Sequence, residues 1–176
     1  IGEAGDDTLN GGTGDNVMTG GAGSDVFVHD LSANANDVIT DYTVGQDKIN
    51  LSGGRVISSS INGSDVILNV ADGDTEAGAV TITGGKDKTI TVEETIDGAA
   101  NKTEGIFGYY SYDIDTSSKK ATSITLNAEF AGTLNATMYA SSVATVDATN
   151  VTDNVVIYGN SNANTILGST KNDAET

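Results

Sequence analysis

The sequence predicts an all-β fold built from short strands and tight turns. Three observations predict it: a nine-residue repeat at the front, short Val/Ile/Thr runs between Gly/Asn/Asp clusters, and no apolar stripe of helical period. The chain has 176 residues, of which 22 are glycine and none is proline. This length is enough for one core or two small subdomains.

The net charge is the first constraint on function. Lys plus Arg number 8 and Asp plus Glu number 25, which gives a formal charge of -17. A compact body with that charge repels itself unless cations neutralise it. Full disorder fits poorly, because 37% of the residues are hydrophobic and lie in β-branched runs. Carboxylate oxygen is a hard ligand, so calcium is the natural candidate cation.

Composition also excludes several classes of partner and site. The chain has no cysteine, which excludes disulfides and thiolate metal sites. Arg55 is the only arginine and no basic stripe exists, so we expect no nucleic-acid partner. No apolar run approaches the roughly 18 residues of a membrane span, so we expect no direct membrane insertion. Because Ile1 follows no initiator Met, we expect a fragment or processed product.

The repeat at the front has a period of nine residues. Its three copies are Gly2–Asn10 (GEAGDDTLN), Gly11–Thr19 (GGTGDNVMT) and Gly20–Val28 (GGAGSDVFV). Each copy has glycine at positions one and four, Asp or Asn at position six and a large apolar residue at position eight. Glycine permits the positive φ of a tight turn, and position eight points into a shared core. Position six presents oxygen at the turn, where stacked turns together can supply the six to eight oxygens that calcium takes.

This pattern resembles the RTX, or hemolysin-type calcium-binding, repeat of secreted bacterial proteins. The resemblance implies a parallel β-roll with several calcium ions along both edges, where successive nonapeptides alternate edges. Two later segments, 35–40 and 45–50, continue the pattern with Asp37 and Asp47 at position six. The implied ligand residues fall into two edges and their turn glycines: Asp7, Asp25 and Asp47 on one edge, Asn16 and Asp37 on the other, and Gly5, Gly12, Gly14, Gly21 and Gly23 in the turns.

Two positions carry separate expectations. Asn16 is uncharged, so we expect a weaker calcium site on its edge. Asp41 is left open as either a ligand or a surface carboxylate.

The back of the chain repeats the signature in degraded form. Gly159–Leu167 has Asn164 at position six, and Gly168–Thr176 has Asp173 there. Joining the tail to the head continues the glycine ladder with one extra residue, which would put Asn164 on the edge of Asp7 and Asp173 on the opposite edge. We therefore expect a β-roll split between the two ends, completed by tandem copies or by head-to-tail joining of subunits. A truncation point with a frayed tail is the alternative.

We divide the chain into an RTX roll with closing segment (1–54), an antiparallel, hairpin-rich section (55–104) and a β-solenoid section (105–176). In the middle, Asn62-Gly63 predicts a hairpin turn and 84–85 a second turn. The stretch 63–68 also fits the repeat, but we interpret it as part of the hairpin. Residues 98–104 are interpreted as a linker, and the aromatic residues of 105–158 as core or interface packing rather than a sugar-stacking face.

No catalytic motif is present, so we expect that the chain is not an enzyme. His29 is the only histidine, and we interpret it as a strand-end residue beside Asp30. The best interpretation is a structural calcium-binding module, secreted through a type I route or held at the cell surface, which joins copies of itself in a filament, biofilm matrix, surface layer or adhesin. The alternatives are the calcium-binding tail of an exported hydrolase or toxin, and a carbohydrate-binding module that uses its tyrosines to bind glycan.

The edge assignment makes a mutational prediction. Asp25→Ala should weaken calcium-dependent folding more than Asp65→Ala, because only Asp25 occupies position six of a stacked repeat. Folding followed by circular dichroism during calcium titration measures both variants. Equal effects of the two substitutions would contradict the assignment.

Overall fold

The computed structural model describes residues 1–73, 75–96, 98–115, 120–130, 132–135, 143–169 and 174–175. Within these ranges the chain forms strands and no α-helix, which confirms the all-β prediction. The chain divides into two compact units, Ile1–Gly108 and Tyr109–Thr176. Among the described residues, no helix is long and apolar enough to cross a membrane. The predictions about Asp173 and about the aromatic residues Tyr112 and Tyr139 concern side chains outside the described residues.

One sheet of the first unit has five strands. In spatial order they are β12 (Ala99–Ile106), β11 (Thr89–Ile96), β7 (Lys48–Asn50), β5 (Val26–Val28) and β2 (Thr8–Asn10). Strands β2, β5, β7 and β11 pair in parallel, whereas β11 and β12 are antiparallel. The register sets Leu9 beside Phe27 and Phe27 beside Ile49, so the position-eight residues form one apolar ladder.

The second sheet of this unit contains the intervening repeats. Its strands there are β3 (Val17–Met18), β6 (Ala35–Ile39), β10 (Thr75–Ile82), β9 (Asp65–Asp72) and β8 (Arg55–Asn62). Strands β3, β6 and β10 are parallel, and β10, β9 and β8 are antiparallel. A short parallel pair, β1 (Glu3–Ala4) with β4 (Gly21–Ala22), joins two turns.

Successive repeats therefore alternate between the two sheets. Strands β2, β5 and β7 lie in one sheet and β3 and β6 in the other, so each repeat stacks on the repeat two units away. The position-eight side chains Met18, Phe27, Ile39 and Ile49 are buried in the core. Parallel strands, short turns and an inward apolar position are the features that the sequence predicts for the roll.

The middle of the chain corrects two predictions. Strands β8 and β9 form the predicted hairpin, but the loop is Gly63-Ser64, since Asn62 pairs with Asp65. The turn around 84–85 exists, yet it joins β10 of one sheet to β11 of the other and makes no hairpin. The middle section is therefore not simply antiparallel: β10 and β11 also extend the two parallel ladders of the repeats.

The predicted linker at 98–104 is wrong. This stretch belongs to β12, which pairs with β11 from Ala99 to Ile106. Its polar composition resembles a loop, but Thr103 is buried and its hydroxyl donates to Glu94 on β11. Burial raises the pKa of Glu94, while the hydrogen bonds from Thr103 and the Val56 amide oppose that rise. A buried cross-strand hydrogen bond thus holds a strand that hydrophobic pattern does not reveal.

The second unit is built from two further ladders. One contains β13 (Tyr110–Asp115), β14 (Lys120–Leu126), β16 (Thr145–Asp147) and β18 (Thr165–Leu167); the other contains β15 (Gly132–Asn135), β17 (Val155–Tyr158) and β19 (Ala174–Glu175). All pairs except β13–β14 are parallel. From β14 onward the chain alternates between the ladders, which is the pattern predicted for solenoid coils.

Most of the described aromatic side chains are buried. Among them are Phe107, Tyr110 and Phe130. Tyr109 meets Phe130 edge-on, with ring centroids 6.4 Å apart. Tyr158 is exposed. Packing therefore accounts for the buried rings, as the sequence predicts.

The apolar ladder makes a stability prediction. Ile49 is fully buried between Phe27 and Val92, so Ile49→Ala should cost about 2–5 kcal/mol of unfolding free energy. Val44 is exposed in a turn, so Val44→Ala should change stability by no more than about 0.5 kcal/mol. Denaturant unfolding in saturating calcium measures both. A similar loss in the two variants would show that the ladder is not the core of the first unit.

Candidate metal centre

Three aspartates stack at one edge of the first unit. Asp7, Asp25 and Asp47 each immediately precede a strand of the five-stranded sheet, and the parallel register of β2, β5 and β7 aligns them. Asp25 Oδ1 accepts a hydrogen bond from the Asp7 amide at 2.9 Å, and Asp47 Oδ1 accepts one from the Asp25 amide at 3.0 Å. We call these three residues the aspartate row. It is the edge that the sequence predicts.

Two oxygens of the aspartate row have no partner. Oδ2 of Asp7 and Oδ2 of Asp25 are buried and accept no hydrogen bond. Asp25 is completely buried, at 0% exposure. Within the described residues, none of the three row carboxylates forms an ion pair with Lys, Arg or His. Burying an unpaired carboxylate costs on the order of several kcal/mol, so this arrangement requires a cation or a proton.

The donor set fits calcium. Calcium takes carboxylate and backbone carbonyl oxygens. The row supplies carboxylate oxygens, and the adjoining turns supply backbone carbonyl oxygens. Calcium would be held through the unpartnered oxygens of Asp7 and Asp25, and it would offset the charge of the row. Among the described residues, no three acidic or histidine side chains by themselves form a metal site. Backbone oxygens of the turns would therefore have to complete the coordination.

The turns behind the row stack backbone against backbone. A Cβ on Gly21 would collide with the carbonyl oxygen of Glu3, and a Cβ on Gly23 with that of Gly5. The Gly5 amide donates to the Ala22 carbonyl at 2.7 Å. All five predicted turn glycines have positive φ: Gly5, Gly12, Gly14, Gly21 and Gly23. The close approach explains why the repeat excludes side chains at Gly21 and Gly23.

Sequence reasoning missed the role of position five. Asp6 Oδ1 accepts a hydrogen bond from the Ser24 amide at 2.8 Å, and Asp15 Oδ1 accepts one from the Asn36 amide at 2.7 Å. Each of these carboxylates therefore ties its turn to the turn two repeats later. The signal was present in the sequence, since both residues stand directly before position six.

Asp41 has a structural role. Its two carboxylate oxygens accept hydrogen bonds from the Gly20 and Gly21 amides, at 2.9 and 2.8 Å. The carboxylate thus caps the turn of the third nonapeptide. Of the two alternatives that the sequence left open, the structure places Asp41 neither in the aspartate row nor free at the surface.

The opposite edge has a different chemistry. Asp37 Oδ1 accepts hydrogen bonds from both the amide and the side-chain nitrogen of Asn16, each at 3.0 Å. Its Oδ2 lies 2.7 Å from Nδ1 of His29. The second ring nitrogen, Nε2, lies 3.0 Å from the carbonyl oxygen of Ala77. The edge therefore has Asn16 and Asp37 adjacent, as predicted, but Asp37 accepts from protein donors, and the Asn16 side-chain nitrogen donates to Asp37 and to the Gly14 carbonyl.

His29 is the strand-end residue that the sequence predicts, since it directly follows β5. Its side chain is buried and contacts Asp37. Asp30 binds Ser32 instead, and the hydrogen bonds from Ser32 hold the pKa of Asp30 below its usual value. No local pattern links His29 to its partners, because Ala77 is far away along the chain.

At the back of the chain, Asn164 closes its own turn. Its side-chain oxygen accepts a hydrogen bond from the Asn160 amide at 2.9 Å, and its side-chain nitrogen donates to the Val143 carbonyl at 3.1 Å. Asn164 is therefore at position six of a turn, as predicted. The other predicted ligand of this segment, Asp173, lies outside the described residues.

The repeat geometry matches a known family. A family model for the RTX calcium-binding nonapeptide repeat matches residues 1–35 and 152–174, in four copies. Both ends of the chain carry RTX repeats. Such repeats bind calcium in general, they are structural rather than catalytic, and proteins that contain them are typically secreted by bacteria. No curated protein and no solved structure matches the chain.

The matched RTX segments cover only part of the row. Asp7 and Asp25 lie inside the first match, whereas Asp47 lies beyond it. The structure nevertheless places Asp47 in the same register, hydrogen-bonded to the Asp25 amide. The stacked edge thus continues beyond the matched residues.

The stacked turns predict the effect of adding a methyl group. Gly23→Ala should cost about 2–5 kcal/mol, because the new Cβ combines strain at φ 143° with collision against the Gly5 carbonyl. Gly45→Ala should cost only about 1–2 kcal/mol, since φ is 75° but the surrounding space is open. Denaturant unfolding in calcium compares them. Equal costs would mean that the turns do not stack as described.

Proposed function

We propose that this chain is a structural module of a secreted bacterial protein whose RTX roll folds when calcium binds the aspartate row. The observation that carries the proposal is the pair of buried oxygens without partners, Asp7 Oδ2 and Asp25 Oδ2. A cation is the partner that these atoms lack. The RTX match supports calcium as that cation.

Folding and calcium binding are coupled in this proposal. The unfolded chain keeps its carboxylates apart in water, while the roll brings three of them together at one edge. Calcium that binds only the folded state stabilises it by about 2.7 kcal/mol at a hundred times its Kd. In a cytosol that is poor in calcium, a chain of charge -17 would stay unfolded and ready for export. Outside the cell, calcium would condense the roll.

We further propose that copies join head to tail. The two repeat regions each present a parallel edge strand, β2 in the first unit and β18 in the second. Leu9 on β2 and Ile166 on β18 both occupy position eight, and both are only half-buried. Their inner neighbours, Phe27 and Val146, are fully buried. Each edge strand thus ends an apolar ladder, and a further strand could stack on it.

In this proposal the β18 edge of one copy pairs with the β2 edge of another copy, and neither edge pairs with a copy of itself. Both belong to parallel ladders of the same repeat, so β18 of one copy can extend the ladder of β2 in another with Ile166 next to Leu9. Such a contact uses different surfaces on the two partners and does not close on itself, so it would build a filament or lattice. A matrix, surface-layer or adhesin role would follow from that assembly.

The calcium proposal predicts a cation-dependent folding transition. Calcium titration should produce a gain of β-structure by circular dichroism that a chelator reverses. Asp25→Asn should raise the calcium midpoint by at least about tenfold, equivalent to about 1.4 kcal/mol. Asp153→Asn removes the same charge at an exposed turn and should leave the midpoint nearly unchanged. A wild-type chain that is equally folded in calcium and in chelator would contradict the proposal.

The joining proposal predicts how two edge variants behave. In calcium, light scattering should show large, chelator-reversible assemblies of the wild type. Leu9→Asp and Ile166→Asp should each remain monomeric, and an equimolar mixture should stop at dimers, because each variant keeps one intact edge. Val44→Asp, at an exposed turn, is the control and should assemble like the wild type.

Two results would count against joining between subunits. Compaction of the wild type at constant monomer mass would indicate a module whose ends meet only copies in the same chain, or a calcium-binding tail of a larger exported protein. Assembly of both edge variants would indicate that another surface carries the contact.

A further inference from the structure

We infer that, of the two repeat edges of the first unit, only the aspartate row binds calcium, and that His29 holds the opposite edge in place of an ion. This inference rests on the proposed function, since it concerns where the same ion binds. It departs from the expectation, implied by the RTX resemblance, that ions line both edges. Four features of the Asn16–Asp37 edge carry it.

The first feature is the net charge of the His29–Asp37 pair. Nε2 of His29 faces the Ala77 carbonyl, which can only accept, so this nitrogen carries a hydrogen. Nδ1 faces Asp37 Oδ2, and one proton lies between these two atoms whichever of them it is bonded to. The pair is then either an imidazolium with a carboxylate or a neutral imidazole with a carboxylic acid. In both cases its net charge is zero.

The second feature is the use of the Asp37 oxygens. Oδ1 already receives two hydrogen bonds from Asn16, which fill its two lone pairs. Oδ2 of Asp37 lies 2.7 Å from Nδ1 of His29. Both oxygens of Asp37 are thus occupied, so an ion could bind there only by displacing these donors. The corresponding residue of the other edge, Asp25, keeps a buried oxygen with no partner.

The third feature is the residue that follows Asp37 in the stack of strands. Strand β10 pairs with β6 so that Val80 lies beside Asp37. Val80 is buried and has no side-chain oxygen. The side chains stacked on this edge are therefore the amide of Asn16, the carboxylate of Asp37 and the apolar side chain of Val80. The aspartate row instead has three carboxylates in succession.

The fourth feature is the position of His29 between strands. The histidine follows β5 in one sheet, and its ring bridges Asp37 on β6 to Ala77 on β10 in the other sheet. It is 1% exposed. A bound ion would join successive turns of the stack, and here the imidazole makes that connection through two hydrogen bonds. The two edges of the roll are therefore unlike: one needs calcium, and the other supplies its own cation or proton.

Calcium titration calorimetry on the whole chain tests this inference. Asp25→Asn should lose at least one bound ion or weaken calcium binding by at least about tenfold. Asp37→Asn, the matched substitution on the other edge, should keep the ion count of the wild type and change affinity less than about twofold. Circular dichroism in saturating calcium verifies that each variant folds. Loss of ions in Asp37→Asn equal to that in Asp25→Asn would overturn the inference.

A measurement on the wild type covers the case in which Asp37→Asn does not fold. Anomalous diffraction from calcium-grown crystals should show ion peaks beside Asp7 and Asp25 and none within about 2.6 Å of an Asp37 oxygen. A peak at Asp37 would overturn the inference while leaving the proposed function intact. A wild type that binds no calcium in calorimetry would instead remove the proposed function itself, so the two failures are distinguishable.

Discussion

The stacking of like charges at one edge is the constraint on which the first unit depends. The hydrogen bonds from the Asp7 and Asp25 amides fix the register of three repeats, and the same bonds bring three carboxylates together. The register cannot form without assembling the charge, and the charge is unfavourable without a cation. In the proposed function, folding of the roll and neutralisation of its edge therefore occur together. The same register places Phe27 beside Ile49 in the apolar ladder behind the edge.

The middle section connects this edge to the rest of the unit. The hydroxyl of Tyr42 donates to the Asp47 carbonyl at 2.8 Å and accepts from the Thr91 amide at 2.8 Å. Burial raises the pKa of Tyr42, so the hydroxyl keeps the proton that it donates. Through this one side chain the last turn of the aspartate row is tied to β11. Tyr42 thus links β11 to the aspartate row, while His29 links the opposite edge to β10.

The sequence predicted what the nine-residue period determines. Position six and position eight are set by local spacing, and for that reason Asp7, Asp25 and Asp47 align as predicted and Phe27 and Ile49 face the core. Contacts between distant segments were not predictable in this way. His29 reaches Ala77, and the turn at 84–85 crosses between sheets, because partners far along the chain decide both. The strand at 99–106 was missed since a buried hydrogen bond, rather than hydrophobic alternation, holds it.

Amide hydrogen exchange with and without calcium tests the central claim most directly. The reporters are the amides of Asp7 and Asp25, which donate to carboxylates of the row, with the Ala144 amide of the second unit, which donates to the Thr122 carbonyl, as an internal reference. If the row requires a cation, calcium protects the amides of Asp7 and Asp25, and chelator returns them to fast exchange. Equal protection of these two amides in calcium and in chelator would contradict the account, because the carboxylates would then be stacked without an ion.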